Sequence, residues 1–147
     1  MRRPVAIVTA IVLFVEAVGI VLVNGVLATV AGNQSMSLAG MDPDAMVTGT
    51  WVMGGVSGAL LVLCGLIPLL AGIRDRAPGR FGRIALIACA VVHGVLGALA
   101  VGLIGWAAFV FLMAVLALIV LTLVAFDRRE PETKAGGPGV EGTPAPV

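Results

Sequence analysis

Few side chains in this 147-residue sequence could do chemistry, and the most informative stands where its type is expensive. Glu16 lies inside a long apolar run that starts at Val5. An ionised carboxylate in such a run costs from about 3 to more than 10 kcal/mol if it faces lipid, so it must face the protein interior, keep its proton or find a partner. Two chemistries fit: a proton carrier or binding group for a cationic substrate, and a carboxyl that hydrogen-bonds a neighbouring helix. His93 is the only histidine and sits in the middle of another apolar run, beside Gly94. A haem or metal centre would need further ligands, and the chain has no second histidine and no CxxCH motif, so no cofactor is expected. Thr9, seven residues before Glu16 on the same helical stripe, and Asn24 complete the candidate intramembrane polar set of Glu16, His93, Thr9 and Asn24.

The remaining motifs have simpler readings. Cys64 and Cys89 lie in apolar runs with no metal-knuckle or CxxC spacing, and read as small core residues without a disulfide. Met36, Met41 and Met46 with Asp42 and Asp44 could suggest a Cu(I) site. The order Asp42, Pro43, Asp44 is explained as directly by a helix start, with an N-cap, a proline at the first helical position and an acid on the positive dipole end. Asn33-Gln34-Ser35 matches a glycosylation triplet, which matters only on a eukaryotic secretory route. There is no Ser/His/Asp set, phosphate-binding glycine loop, HExxH or paired membrane acids, and an enzyme is not expected.

These residues must be positioned by membrane helices. Sixty per cent of the residues are hydrophobic and 12% charged, against roughly a quarter charged in a soluble domain. A bilayer-crossing helix needs about 20 apolar residues. Spans are expected at about 5–30, 46–73, 84–102 and 106–126, the last two joined by a tight turn at Gly102, Gly105 and Trp106. The expected fold is therefore all-α: a four-transmembrane-helix bundle over residues 1–126, followed by a disordered cytoplasmic tail over 127–147, rich in Pro, Gly, Glu and Thr. Span one, about twice the length of a secretory signal core and carrying a glutamate, is expected to be retained rather than cleaved.

Charge placement gives an orientation. All nine Lys and Arg fall before span one, between spans two and three, or after span four, whereas the other two connections carry only Asp42 and Asp44. The positive-inside rule then puts both termini and the middle loop in the cytoplasm. With a net charge of +1 nothing argues for nucleic acid; the expected partners are the lipid bilayer and either a second copy or another membrane protein. Small residues should carry the packing: Gly54, Gly58, Gly65 and Gly72 in span two, and Ala90, Gly94, Ala98 and Gly102 in span three. Pro68 should kink span two. Counting ~1.5 Å per residue puts Glu16 roughly 17 Å beyond Val5 and His93 roughly 14 Å beyond Ile84, so the two lie at similar depth and are expected to point into the bundle and meet.

Two resemblances follow. Val15-Glu16-Ala17-Val18-Gly19 resembles the first helix of small multidrug-resistance transporters, which implies proton exchange for cationic drugs at Glu16. The chain departs from that family in having no tyrosine, in lacking its tryptophan motif, and in its strong charge bias. Over Val5 to Phe126 it is similar to the small four-span membrane proteins of unknown function abundant in GC-rich, actinobacterial-type genomes: an acidic residue, a small residue and Gly in span one, a glycine-rich span two, and a loop such as Gly79-Arg80-Phe81-Gly82-Arg83. That likeness implies a multi-pass protein of the bacterial plasma membrane. The expectation is a non-enzymatic accessory or interaction component, with a small proton-coupled transporter using Glu16 as the alternative.

Overall fold

The computed structural model describes residues 2–34, 40 and 42–127. It is all-helical among these residues: α1 (Arg2–Gln34), α2 (Pro43–Arg74), α3 (Arg80–Leu103) and α4 (Trp106–Asp127), each long and apolar enough to cross a membrane. Every helix outruns the span read from hydropathy, because backbone hydrogen bonding continues into the polar ends that an apolar window trims. Asp127, assigned to the tail, is the last residue of α4, and the rest of the expected tail lies outside the described residues.

Local chemistry sets the ends. Asp42 is extended (φ −60°, ψ 128°) and its carboxylate accepts the Asp44 N–H at 2.9 Å, with Pro43 opening the helix where its missing N–H costs nothing. Met46 is one turn into α2, and Met36 and Met41 lie outside the described residues. α2 continues through Pro68 without interruption and ends at Asp75, which is left-handed (φ 51°). Between α3 and α4 the Ala100 carbonyl accepts from both Ile104 N–H (2.9 Å) and Gly105 N–H (2.8 Å). Gly105 at φ +118° then turns the chain, a backbone state closed to side-chain-bearing residues. This is the hairpin expected around Gly102 to Trp106.

α1 is the central helix. It packs along α2 and also on α4, α3 packs on α4, and α2 touches α3 only lightly. In the half of the bundle nearer the α2–α3 turn all four helices meet in one cluster: Leu13 from α1, Leu86 and Cys89 from α3, Val115 and Ile119 from α4, with Leu61 and Cys64 of α2 against it. A second cluster nearer the chain ends joins Ala6, Ala71 and Phe126.

The small residues of α2 work as expected. A Cβ on Gly54 would fall 2.5 Å from Asn24 Cβ, one on Gly58 2.6 Å from Val21 Cγ2, one on Gly65 3.1 Å from Phe14 and one on Gly72 3.1 Å from Ile7, so a methyl at any of the four requires α1 or its side chains to shift, most at Gly54 and Gly58. Those of α3 behave differently. Gly94 faces Leu116 of α4, but Ala98 and Gly102 are exposed, and the buried face is Leu86, Cys89, His93, Gly97 and Ala100. Helical geometry explains the contrast. A step of seven residues drifts by about 20° and keeps to one seam, whereas a step of four advances by about 40° and spirals off the face within three repeats.

Candidate functional site

The polar site is assembled from α1 and α3. Glu16 lies between Leu13 and Ala17 of the buried stripe Ala6, Ala10, Leu13 and Ala17, beside that stripe rather than on it, and its side chain is 15% exposed. His93 lies on the inner face of α3, and its side chain is 3% exposed. The two meet: His93 Nε2 is 3.0 Å from Glu16 Oε2. The other ring nitrogen, Nδ1, donates to the Cys89 carbonyl at 2.8 Å, with Cys89 Sγ 3.6 Å away.

This geometry counts protons. The Cys89 carbonyl can only accept, so Nδ1 carries a hydrogen. The Nε2 to Oε2 contact then holds one proton between its two atoms, as imidazolium and carboxylate or as imidazole and carboxylic acid. Both forms are neutral overall, which is what burial in an apolar bundle requires. Losing the shared proton would set a carboxylate against an imidazole lone pair and break the bond.

The four candidate residues do not form one site. Thr9, about two turns below Glu16, belongs to a separate bridge from α1 to α4. Its hydroxyl lies 2.9 Å from Thr122 Oγ1, 2.9 Å from the Val5 carbonyl and 3.2 Å from the Leu118 carbonyl. Thr122 in turn donates to the Leu118 carbonyl at 2.9 Å. Asn24, about two turns above Glu16, donates its amide to the Ile20 carbonyl at 2.8 Å and lies against Gly54. Thr122 escaped the sequence reading, although it is the one polar side chain between Trp106 and Asp127 in α4 and could have been found on that ground.

Cys64 and Cys89 are free thiols in the core cluster. Asn33 and Gln34 of the glycosylation triplet end α1, and Ser35 lies outside the described residues. Among the described residues no three His, Cys, Asp or Glu side chains gather as a metal site, and no buried side-chain nitrogen or oxygen lacks a partner. At the helix ends, Asp127 accepts two hydrogen bonds from Arg83, at 2.6 and 2.7 Å, an exposed pair worth about 1 kcal/mol or less. No family model, curated protein or solved structure matches the chain.

Proposed function

We propose that this chain is a multi-pass protein of the bacterial plasma membrane, with both termini in the cytoplasm, acting as a non-enzymatic accessory or interaction component. The membrane part of the reading is supported by four helices whose outward faces carry exposed Val, Leu and Ile along their length, an apolar surface far larger than soluble monomers tolerate. The orientation rests on the charge asymmetry of the connections. A membrane-impermeant thiol reagent applied from outside should modify Ser37→Cys and Gly40→Cys but neither Gly79→Cys nor Ala135→Cys. Modification of Gly79→Cys from outside would reverse the orientation.

The observation that carries the functional part is the saturation of the polar groups. Each buried polar side chain among the described residues is already bonded within the chain: the Glu16–His93 contact joins α1 to α3, and the other ring nitrogen of His93 bonds within α3 to the Cys89 carbonyl. Three clefts among the described residues, two on the outer face of α1 and α2 and one at the α2–α3 turn, are lined by neither Glu16 nor His93. On this reading Glu16 and His93 form a latch, and the function lies in what the bundle presents to its neighbours.

The alternative, a small proton-coupled transporter using Glu16, draws support from the single proton that the pair shares. An intramembrane acid and base in direct contact are the components of a proton relay. Purified protein in proteoliposomes with a luminal pH dye, offered the lipophilic cation ethidium, separates the two. The latch predicts identical traces for the wild type and Glu16→Gln. A luminal pH change in the wild type that Glu16→Gln abolishes would replace it with the transporter.

A further inference from the structure

The connection between α2 and α3 forms a cleft with two chemical halves. The left-handed Asp75 ends α2 and reverses the chain, and α3 starts so close to α2 that a Cβ on Gly82 would lie 3.0 Å from Ile67. Beneath this turn is a cleft of about 330 Å³ with an apolar floor of Ile67, Leu70 and Ala71, and with Arg74 and Arg76 in its wall. The nearby acids are engaged elsewhere. Asp75 faces Arg3 at 3.7 Å, and Asp127 is held by Arg83 at 2.6 Å. Among the described residues neither Arg74 nor Arg76 forms an ion pair, so no acid among them neutralises the two guanidinium groups of the cleft.

The two halves ask for a ligand that is anionic at one end and apolar at the other. A free phosphate would satisfy the arginines and leave the floor unused. The charges also sit where α2's apolar run stops, which on the membrane reading above is the level of the lipid headgroups. Arginine forks match phosphate oxygens two at a time. We propose that this cleft binds an anionic phospholipid, its headgroup phosphate on Arg74 and Arg76 and its first chain methylenes on Ile67 and Leu70. Clefts that are basic at the cytoplasmic face are suited to such headgroups.

The test is native mass spectrometry of detergent-purified protein titrated with phosphatidylglycerol or phosphatidylcholine, alongside thermal unfolding with each lipid and with inorganic phosphate. Phosphatidylglycerol should bind in preference and raise the unfolding temperature. Arg74→Gln/Arg76→Gln should weaken its binding by roughly 25-fold, at about fivefold per arginine. Both side chains are exposed, so the variant should unfold like the wild type in phosphatidylcholine, and Arg80→Gln, outside the cleft lining, should bind normally. Equal binding by the double variant, equal binding of phosphatidylcholine, or full stabilisation by phosphate alone would each overturn the site. The proposal rests on the membrane reading, and vesicle flotation separates the two failures. Protein that co-floats but shows no lipid preference sinks only the cleft, whereas protein that does not co-float sinks the membrane reading itself.

Discussion

Gly54→Ala is expected to destabilise the protein by about 1–3 kcal/mol, although it replaces a glycine inside a helix with the best helix former. Two effects oppose each other. Helix propensity favours alanine by about 1 kcal/mol. Against it, the new methyl would sit 2.5 Å from Asn24 Cβ and 3.1 Å from Asn24 Cγ. A Cβ has no torsion through which to retreat, and the Asn24 amide is held by the Ile20 carbonyl at 2.8 Å, so relief requires α1 and α2 to separate along their longest shared seam. Gly58→Ala meets the Val21 Cγ2 methyl at 2.6 Å and should also be unfavourable, by less, because that methyl can turn at some rotamer cost. Gly55 is the internal control. Nothing lies within 4 Å of its would-be Cβ, so Gly55→Ala should leave stability unchanged or raise it. Thermal unfolding in one detergent ranks the three. If Gly54→Ala proves as stable as Gly55→Ala, the two helices are not in close contact at Asn24.

What the sequence disclosed follows from which signals are one-dimensional. Apolar run length placed four helices, and Asp42, Pro43 and Gly105 marked ends whose chemistry is local, so these positions stand in the structure as read. The Glu16 to His93 contact was legible for a different reason. Both helices count their depth from a charged boundary, and at a fixed rise per residue equal counts mean equal depth. Rotation about the helix axis is harder to read. In α3, Ala90, Gly94, Ala98 and Gly102 make the more regular list, yet the mixed three-and-four spacing of Leu86, Cys89, His93, Gly97 and Ala100 follows the buried face. In α1 the alanines 6, 10, 17 and 28 mark the inner stripe as clearly as any glycine, but in an almost wholly apolar helix they do not stand out. Pairing between helices was hidden as well. Nothing local in Thr9 announces Thr122, because their approach is produced by α1 lying between α2 and α4.

Removing one member of the Glu16–His93 pair should cost far more than removing both. A well-made polar contact between membrane helices has a net value of about 0.6 kcal/mol, rarely above about 1.7, since the separated helices also find partners. A single truncation is a different event: it leaves the other group buried without its partner, and breaking buried pairs in this way costs about 3–5 kcal/mol. His93→Leu should be the worse single change, because it strands a carboxyl group, whereas Glu16→Leu strands only one ring nitrogen and leaves Nδ1 on the Cys89 carbonyl. Leucine at both positions keeps the apolar volume and strands neither side chain, so the double variant should be more stable than either single one. Glu16→Gln retains a group that can bond His93 Nε2 and should fold nearly as well as the wild type, which makes it the appropriate variant for transport measurements. Denaturant titration of Glu16→Leu, His93→Leu and the double variant in one detergent gives the coupling directly. Losses that simply add would mean that the 3.0 Å contact contributes nothing to holding α1 against α3, and the latch would have to be abandoned.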